Sequence, residues 1–253
     1  MTGKYFTVNA AGCSIRCKLY AEGRETLRTL IVFGHGFGGH KDNRAAERFA
    51  ARALEKNRGV GVVTFDWPCH GEDVRKTLRL DDCALYLRTL VAELRGRYAG
   101  AELFGYATSF GGYLFLKYIS ESENPFEKIA FRCPAVNMYG LLTERIMTQE
   151  EREAVGKGKS VSVGFDRKVQ IDAAFLESLR QADLTQRDFL PQADGLLILQ
   201  GDRDEIVSPA AVRAFCEENV IEYELVEGAD HRFQGVHCLE RADARVLAFF
   251  GLK

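Results

Sequence analysis

The sequence predicts one α/β domain built on a mostly parallel sheet of about eight strands, with helices on both faces. Three observations predict it. Short apolar runs alternate along the chain with longer amphipathic stretches of helical period. Those runs are apolar nearly throughout, as in strands buried on both faces, rather than alternating as in a half-exposed sheet. Small and polar residues gather just after them, at the edge where open parallel sheets bind ligands.

Taken in order, segments 4–8 and 13–20 read as antiparallel strands joined by an Asn9-Ala10-Ala11-Gly12 turn. A strand at 29–34 leads to an amphipathic helix at 42–57, and a strand at 59–67 to a helix at 81–97. The next pair is strand 101–106 and helix 110–122, followed by strand 128–134. Strand 195–201, helix 209–219, strand 221–228 and a helix over about 237–250 complete the pattern. Ser208-Pro209 is a helix start, a capping hydroxyl before a proline that needs no N–H at the first position. Segment 137–190 breaks the rhythm and is longer than an ordinary connection. Its helix-like stretches 141–154 and 172–181 flank a possible hairpin, and it reads as a small cap inserted over the carboxyl end of the sheet. The expectation is a single domain over 1–253 carrying that cap.

Composition narrows the function. The 253 residues suit one sizeable domain, and fractions of 46% apolar and 28% charged are those of a soluble globular protein. A formal net charge of −2 offers no electrostatic pull toward nucleic acid or an anionic membrane. No run approaches the ~20 apolar residues that span a bilayer. The opening residues lack a basic segment followed by an apolar core, so no secretory signal and a cytoplasmic location are expected. Seven cysteines, at 13, 17, 69, 83, 133, 216 and 238, form no C-x-x-C pair and no cluster with histidine at metal-ligand spacing. They read as reduced, mostly buried thiols. "HGFGGH" lacks the Gly-Lys-Ser/Thr ending and the G-x-G-x-x-G spacing of phosphate loops. No cofactor and no metal are expected, and the oligomeric state is not legible.

The residues just past each apolar run carry the chemistry. His35-Gly36-Phe37-Gly38-Gly39 comes after the first parallel strand, and Pro68-Cys69-His70-Gly71-Glu72 after the next. Ser109 comes after 101–106, Asp202 and Asp204 after 195–201, and Asp230 and His231 after 221–228. A serine, an acid and an imidazole thus reach one edge of one sheet, as acyl transfer requires. A serine hydroxyl needs an adjacent base, histidine titrates near neutrality, and a buried carboxylate fixes the ring's tautomer. The amides of Phe110 and Phe37 are placed to stabilise a tetrahedral oxyanion. Asp202 and Glu205 compete with Asp204 for the acid, and His237 competes with His231 for the base. His35 and His70 read as loop braces, His40 as solvated and Asp66 as structural. Cys69 and Cys133 lack the neighbour that an activated thiolate needs.

The segments "HGFGG", "FDWPCHGE", "TSFGG", "LILQGDRDEIV" and "EGADHRF" together resemble the α/β-hydrolase fold family. More narrowly, they are similar to small bacterial serine esterases of the cinnamoyl/feruloyl type and to acylaminoacyl-peptidase-like hydrolases. The resemblance runs in order along nearly the whole chain. It implies Ser109 as nucleophile, Asp204 as acid, His231 as base, and Phe37 and Phe110 as oxyanion-hole donors. One departure is plain: the usual glycine two residues before the nucleophile is Ala107.

The activity expected is hydrolysis of small carboxylic esters, with short-chain or aromatic acyl groups, through an acyl-enzyme. A peptidase or amidase using the same residues is one alternative, and a non-catalytic small-molecule binder is another. In the cap, Met138, Tyr139, Leu141, Leu142, Ile146, Met147, Phe165 and Phe175 suit either an acyl pocket or packing of the cap onto the sheet.

Overall fold

Apolar runs became strands in the order anticipated. In the computed structural model, residues 3–22, 26–165 and 167–253 are described. β1 (Lys4–Ala10) and β2 (Cys13–Ala21) form an antiparallel hairpin turned at Ala11-Gly12, both at positive φ. β3 (Thr29–Gly34) leads to α1 (Arg44–Lys56), and β4 (Val60–Phe65) to α2 (Leu80–Arg97). β5 (Glu102–Thr108), α3 (Phe110–Glu121) and β6 (Lys128–Arg132) follow.

The segment after β6 holds α4 (Met138–Gly140) running into a π-helical turn at Leu141–Ile146, then α5 (Gln149–Gly156). Next come the antiparallel pair β7 (Val161–Val163) and β8 (Val169–Ile171), α6 (Ala173–Gln181), and short 3₁₀ turns at Leu184–Gln186 and Leu190–Gly195. β9 (Leu196–Gly201), α7 (Pro209–Asn219), β10 (Glu222–Val226) and α8 (Cys238–Phe249) end the chain.

The eight-stranded sheet runs β1-β2-β4-β3-β5-β6-β9-β10. β1 and β2 are antiparallel; from β4 to β10 every neighbouring pair is parallel. Strand residues alternate between two apolar layers, as a period of two requires. Val32, Val63, Ala107, Ile129 and Ile198 join the layer that holds α2, α3, α6 and α7. Ile31, Phe33, Val62, Tyr106, Leu197 and Leu199 join the layer that holds α1 and α8.

One helix expected over 141–154 is divided. Thr148 accepts a hydrogen bond from the Glu151 amide at 3.2 Å while the Glu151 side chain accepts from the Thr148 amide at 2.9 Å. That reciprocal cap starts a new helix and ends the π-helical turn before it. Packing also decides the use of most apolar residues here. Met138, Leu141, Leu142, Met147 and Phe175 are buried in the main core, whereas Tyr139 and Phe165 are exposed. Arg79 clamps Asp172 bidentately at 2.8 and 2.7 Å, and the Tyr113 hydroxyl donates to the Ala182 carbonyl at 2.9 Å. Both bonds tie the segment to the sheet's own helices. At Gly38, φ is +73° and an added Cβ would lie 2.7 Å from the Arg167 carbonyl, so the strand connection after β7 passes against the turn after β3.

Candidate active site

Ser109 stands between the last residue of β5 and the first of α3, at φ +51° and ψ −117°. A non-glycine residue there is strained by roughly 1–3 kcal/mol and persists only where its surroundings hold it. Three backbone bonds do so. The Ser109 amide donates to the Arg132 carbonyl at 3.1 Å, and its carbonyl accepts from Tyr113 at 3.1 Å and from Ala135 at 3.2 Å. Small neighbours make the turn possible. A Cβ on Gly111 would lie 2.5 Å from the Gly34 carbonyl oxygen, and one on Gly112 2.8 Å from Pro134. The Ala107 departure is accommodated across the sheet. Its register partner is Gly34, where a Cβ would stand 3.3 Å from that of Ala107, so the side chain missing from one strand makes room for the other.

Those constraints aim the hydroxyl at an imidazole. Ser109 Oγ lies 3.1 Å from His231 Nε2, and His231 Nδ1 lies 3.0 and 2.9 Å from the two carboxylate oxygens of Asp204. Three side chains far apart in sequence meet in one hydrogen-bonded line. His231 rides on the loop after β10, which Asp230 folds back by accepting from the Phe233 amide through its carbonyl, at 3.1 Å, and from the Gln234 amide through its carboxylate, at 2.8 Å.

Asp204 is the better partnered of the competing acids. Its side chain is fully buried, while that of His231 is 15% exposed, so the relay opens toward solvent on the imidazole side. Oδ1 accepts from the Ile206 and Val207 amides at 2.9 and 2.8 Å, and Oδ2 from the Gln200 amide group at 2.8 Å. Burial pushes the Asp204 carboxyl up, but bonds from His231, the Cys133 thiol and the Val207 amide outweigh it and hold the group below its usual range. Asp202 accepts from the Gly228 amide at 2.7 Å and so caps a turn, and the Glu205 carboxylate accepts from the His231 backbone amide at 3.4 Å. His237 stands at the start of α8 on the surface, makes no capping side-chain bond and pairs with Glu240.

The glycine-rich turn after β3 passes the nucleophile closely. A Cβ on Gly36 would lie 3.2 Å from that of Ser109. The Phe37 and Phe110 rings meet edge-on at 5.4 Å. As the first residue of α3, Phe110 has an amide with no acceptor inside the helix.

His35 and His70 are buried braces. His35 Nδ1 lies 2.8 Å from the Gly36 carbonyl, and its own carbonyl accepts from the Trp67 indole at 3.0 Å. His70 Nδ1 lies 2.8 Å from the Pro68 carbonyl. Burial drives the His35 ring well below the ordinary histidine value and the His70 ring down to about 4, so both are neutral. His40 is half-buried rather than solvated and accepts from the Asp42 amide at 3.2 Å. Asp66, fully buried, accepts from the Lys41 amide at 2.7 Å, from Lys41 Nζ at 3.2 Å and from the Glu72 amide at 3.0 Å.

Cys133 lacks an activating neighbour, as expected, but it stands beside two residues that the sequence does not bring near it. Its sulphur, an oxygen of Asp204 and a nitrogen of His231 all lie within 4.8 Å of one another. These three positions are widely separated in sequence, so the chain shows no metal-ligand spacing. The neighbour does not activate the thiol: burial first, then the Asp204 charge, raise it well above the ordinary cysteine value. Sequence reasoning also misses Gln200, although a glutamine ending the apolar run "LLILQ" is a signal that its buried amide has a partner. An open groove of about 700 Å³ at the amino ends of β9 and β10, lined by Arg213, Cys216 and Tyr223, lies away from this edge.

Comparison with known proteins bears on the fold. The model of the alpha/beta hydrolase family matches residues 31–249. The chain belongs to that family. Its fold is similar to that of Est1E from Butyrivibrio proteoclasticus with ferulic acid bound, at 17% identity, 97% coverage of both chains and a TM-score of 0.78. It is similar to a soluble variant of monoglyceride lipase from Saccharomyces cerevisiae in complex with a substrate analogue, at 14% identity, covering 98% of this chain and 95% of that one, TM-score 0.73. A third is XC6422 from Xanthomonas campestris, described as an a/b serine hydrolase without lid, at 17% identity, 99% and 94% coverage and a TM-score of 0.65. At such identities the likeness is one of fold. No curated protein matches the chain in sequence. Among the described residues, no helix of this family member is long and apolar enough to cross a membrane.

Proposed function

We propose that the protein is a serine hydrolase of small carboxylic esters. The observation that carries the reading is the line from Ser109 Oγ through His231 to Asp204, with contacts of 3.1, 3.0 and 2.9 Å. In this reading His231 Nε2 takes the Ser109 proton as Oγ attacks the ester carbonyl, and Asp204 stabilises the imidazolium that forms. The Phe37 and Phe110 amides receive the negative charge on the carbonyl oxygen. The imidazolium then protonates the departing alcohol, leaving an acyl-serine. Water, deprotonated by the same nitrogen, attacks that acyl group and restores the hydroxyl.

Segment 137–190 serves as a cap over this edge, with the exposed Phe165 and Tyr139 available to an acyl group. A short or aromatic acyl group is the substrate class, supported by the fold shared with a structure that holds ferulic acid. Seven free cysteines suit a reducing, cytoplasmic setting.

A panel of p-nitrophenyl esters of increasing acyl length, with a feruloyl ester and an aminoacyl arylamide beside it, tests the reading. Ser109→Ala is expected to lower turnover by about four to six powers of ten. A fluorophosphonate is expected to label the native chain and not the variant. Ester hydrolysis that survives the substitution would overturn the nucleophile. Faster release of the arylamide than of every ester would move the substrate class to amides.

A further inference from the structure

Cys133 is the one member of the cluster around Asp204 that ester hydrolysis does not use. It comes directly after β6, at φ +47°, and its amide donates to the Leu199 carbonyl at 2.8 Å, which fixes the thiol between the ends of β6 and β9. The side chain is 1% exposed. Sulphur, carboxylate oxygen and imidazole nitrogen gathered within 4.8 Å form a donor set of one soft, one borderline and one hard atom. We propose that Cys133, His231 and Asp204 form a site for a thiophilic divalent cation of the Zn²⁺ or Cd²⁺ class, and that its occupation switches the relay off.

The geometry is close to what such an ion needs. Zinc takes sulphur at ~2.3 Å and nitrogen or oxygen at ~2.0–2.2 Å, which at tetrahedral angles spaces the ligand atoms ~3.5 Å apart. His231 Nδ1 and Asp204 already stand 2.9 Å apart, so they open slightly while the sulphur swings inward. Burial and, after it, the charge on Asp204 hold the thiol protonated, and that same charge is what an entering cation meets. Entry is from the imidazole side, where His231 is 15% exposed, and a solvent water completes the fourth position.

Binding balances simply. Cys133 releases its thiol proton to solvent and donates a lone pair to the metal. His231 Nδ1 also donates a lone pair, and its proton is replaced by one on Nε2, so the ring stays neutral. Asp204 binds as the carboxylate it already is. Nε2 then carries hydrogen toward Ser109 and cannot accept the serine proton, which is the wrong tautomer for a base. Mg²⁺ and Ca²⁺ prefer an all-oxygen shell, which this donor set of sulphur, nitrogen and oxygen does not offer.

The inhibitory consequence rests on the esterase reading; the binding does not, so the two are measured separately. Titrating the full chain with Cd²⁺ is expected to raise the ultraviolet thiolate-to-cadmium charge-transfer absorption to an end point of one ion per chain. Cys133→Ser and Cys133→Ala are expected to lose that signal, and Cys69→Ser, which alters the half-buried thiol, to keep it. His231→Ala is expected to weaken the ion at least about tenfold. In parallel, ester hydrolysis is expected to fall under Cd²⁺ or Zn²⁺, to return with a chelator, and to ignore Mg²⁺. Each Cys133 variant is compared with itself with and without cation, and is expected to need at least about 100-fold more for the same fractional loss. A charge-transfer signal that survives in both Cys133 variants overturns the site. So does unchanged Cd²⁺ affinity in His231→Ala, which would remove the imidazole from the donor set.

Discussion

The carboxyl edge of the sheet has two halves that look alike in sequence and differ in chemistry. The half built by β3 and β4 holds His35, His70 and Asp66; the half built by β5, β9 and β10 holds Ser109, Asp204 and His231. Each offers imidazole and a buried carboxylate: two rings on the first half, one on the second. On the first half the His35 and His70 Nδ1 atoms face backbone carbonyls, both rings are 3% exposed, and Asp66 is matched to Lys41. On the second, Nδ1 faces a carboxylate and Nε2 faces a hydroxyl. An imidazole becomes a base when an acid orients one nitrogen and a proton source meets the other. Otherwise it is a rigid hydrogen-bonding wedge.

The largest effect that would break this contrast comes from exchanging each carboxylate for its amide. Asp204→Asn is expected to lower kcat by about four powers of ten with the fold intact, because an amide no longer dictates the tautomer. Asp66→Asn is expected to leave kcat within about tenfold and instead to cost about 1.5–3 kcal/mol, the worth of hydrogen bonds to a charged group. Lys41 would retain Glu72 and Asp42, which limits the damage. Initial rates and urea unfolding of both variants measure the difference. If Asp66→Asn abolishes turnover and Asp204→Asn does not, the two halves have been assigned the wrong way round.

A smaller effect sharpens the comparison through pH. His70 titrates at about 4 in the folded chain because burial penalises its charge, against ~6.5 when unfolded. Between those values the unfolded chain binds a proton that the folded one refuses. Stability from this group is therefore undiminished above pH ~6.5 and declines as pH falls toward 4. Asp243 on α8 opposes it. Burial raises that carboxyl to about 6, so its contribution favours the folded state in acid and is lost as pH rises from ~3.8 through 6. The slope of the native protein alone is thus mixed, and the difference from His70→Gln isolates the ring. That difference is expected to move by about 2 kcal/mol in favour of the variant between pH 7.5 and pH 5. An unchanged difference would mean that the ring carries its proton in the folded state.

The same contrast explains why the line of Ser109, His231 and Asp204 is legible in the sequence and several of the partners around it are not. Ser109, Asp204 and His231 each sit just past an apolar run, and runs buried on both faces are hard to misread. Asp66, Lys41 and Cys133 acquire their meaning from partners that no local pattern names. Lys41 stands in a polar stretch that gives no sign of its 3% exposure, which depends on Asp66, 25 residues away. Cys133 is adjacent to Arg132 in sequence but to Asp204 and His231 in space. The glycines lie between these cases. "SFGG" announces a tight turn, yet that Gly34 makes room for Ala107 depends on strand register, and register is a property of two strands. The division of segment 141–154 is written locally, in Thr148 and Glu151, but the helical period on either side masks it.

The smallest expected effect probes two aspartates that stand two residues apart. Asp202 is exposed and holds one turn by accepting from the Gly228 amide at 2.7 Å. Removing that carboxylate with Asp202→Ala is expected to cost about 0.5–1.5 kcal/mol, the net worth of one such bond, with kcat changed by less than about twofold. The turn it braces leads into the His231 loop, so a drop in kcat with stability untouched would show that loop placement depends on this bond. A loss as deep as that of Asp204→Asn would make Asp202 the acid and void the relay as drawn. The distinction is physical rather than positional: Asp204 is buried where its charge can act on one imidazole, whereas the charge of Asp202 faces water, where its pull on a distant proton is screened.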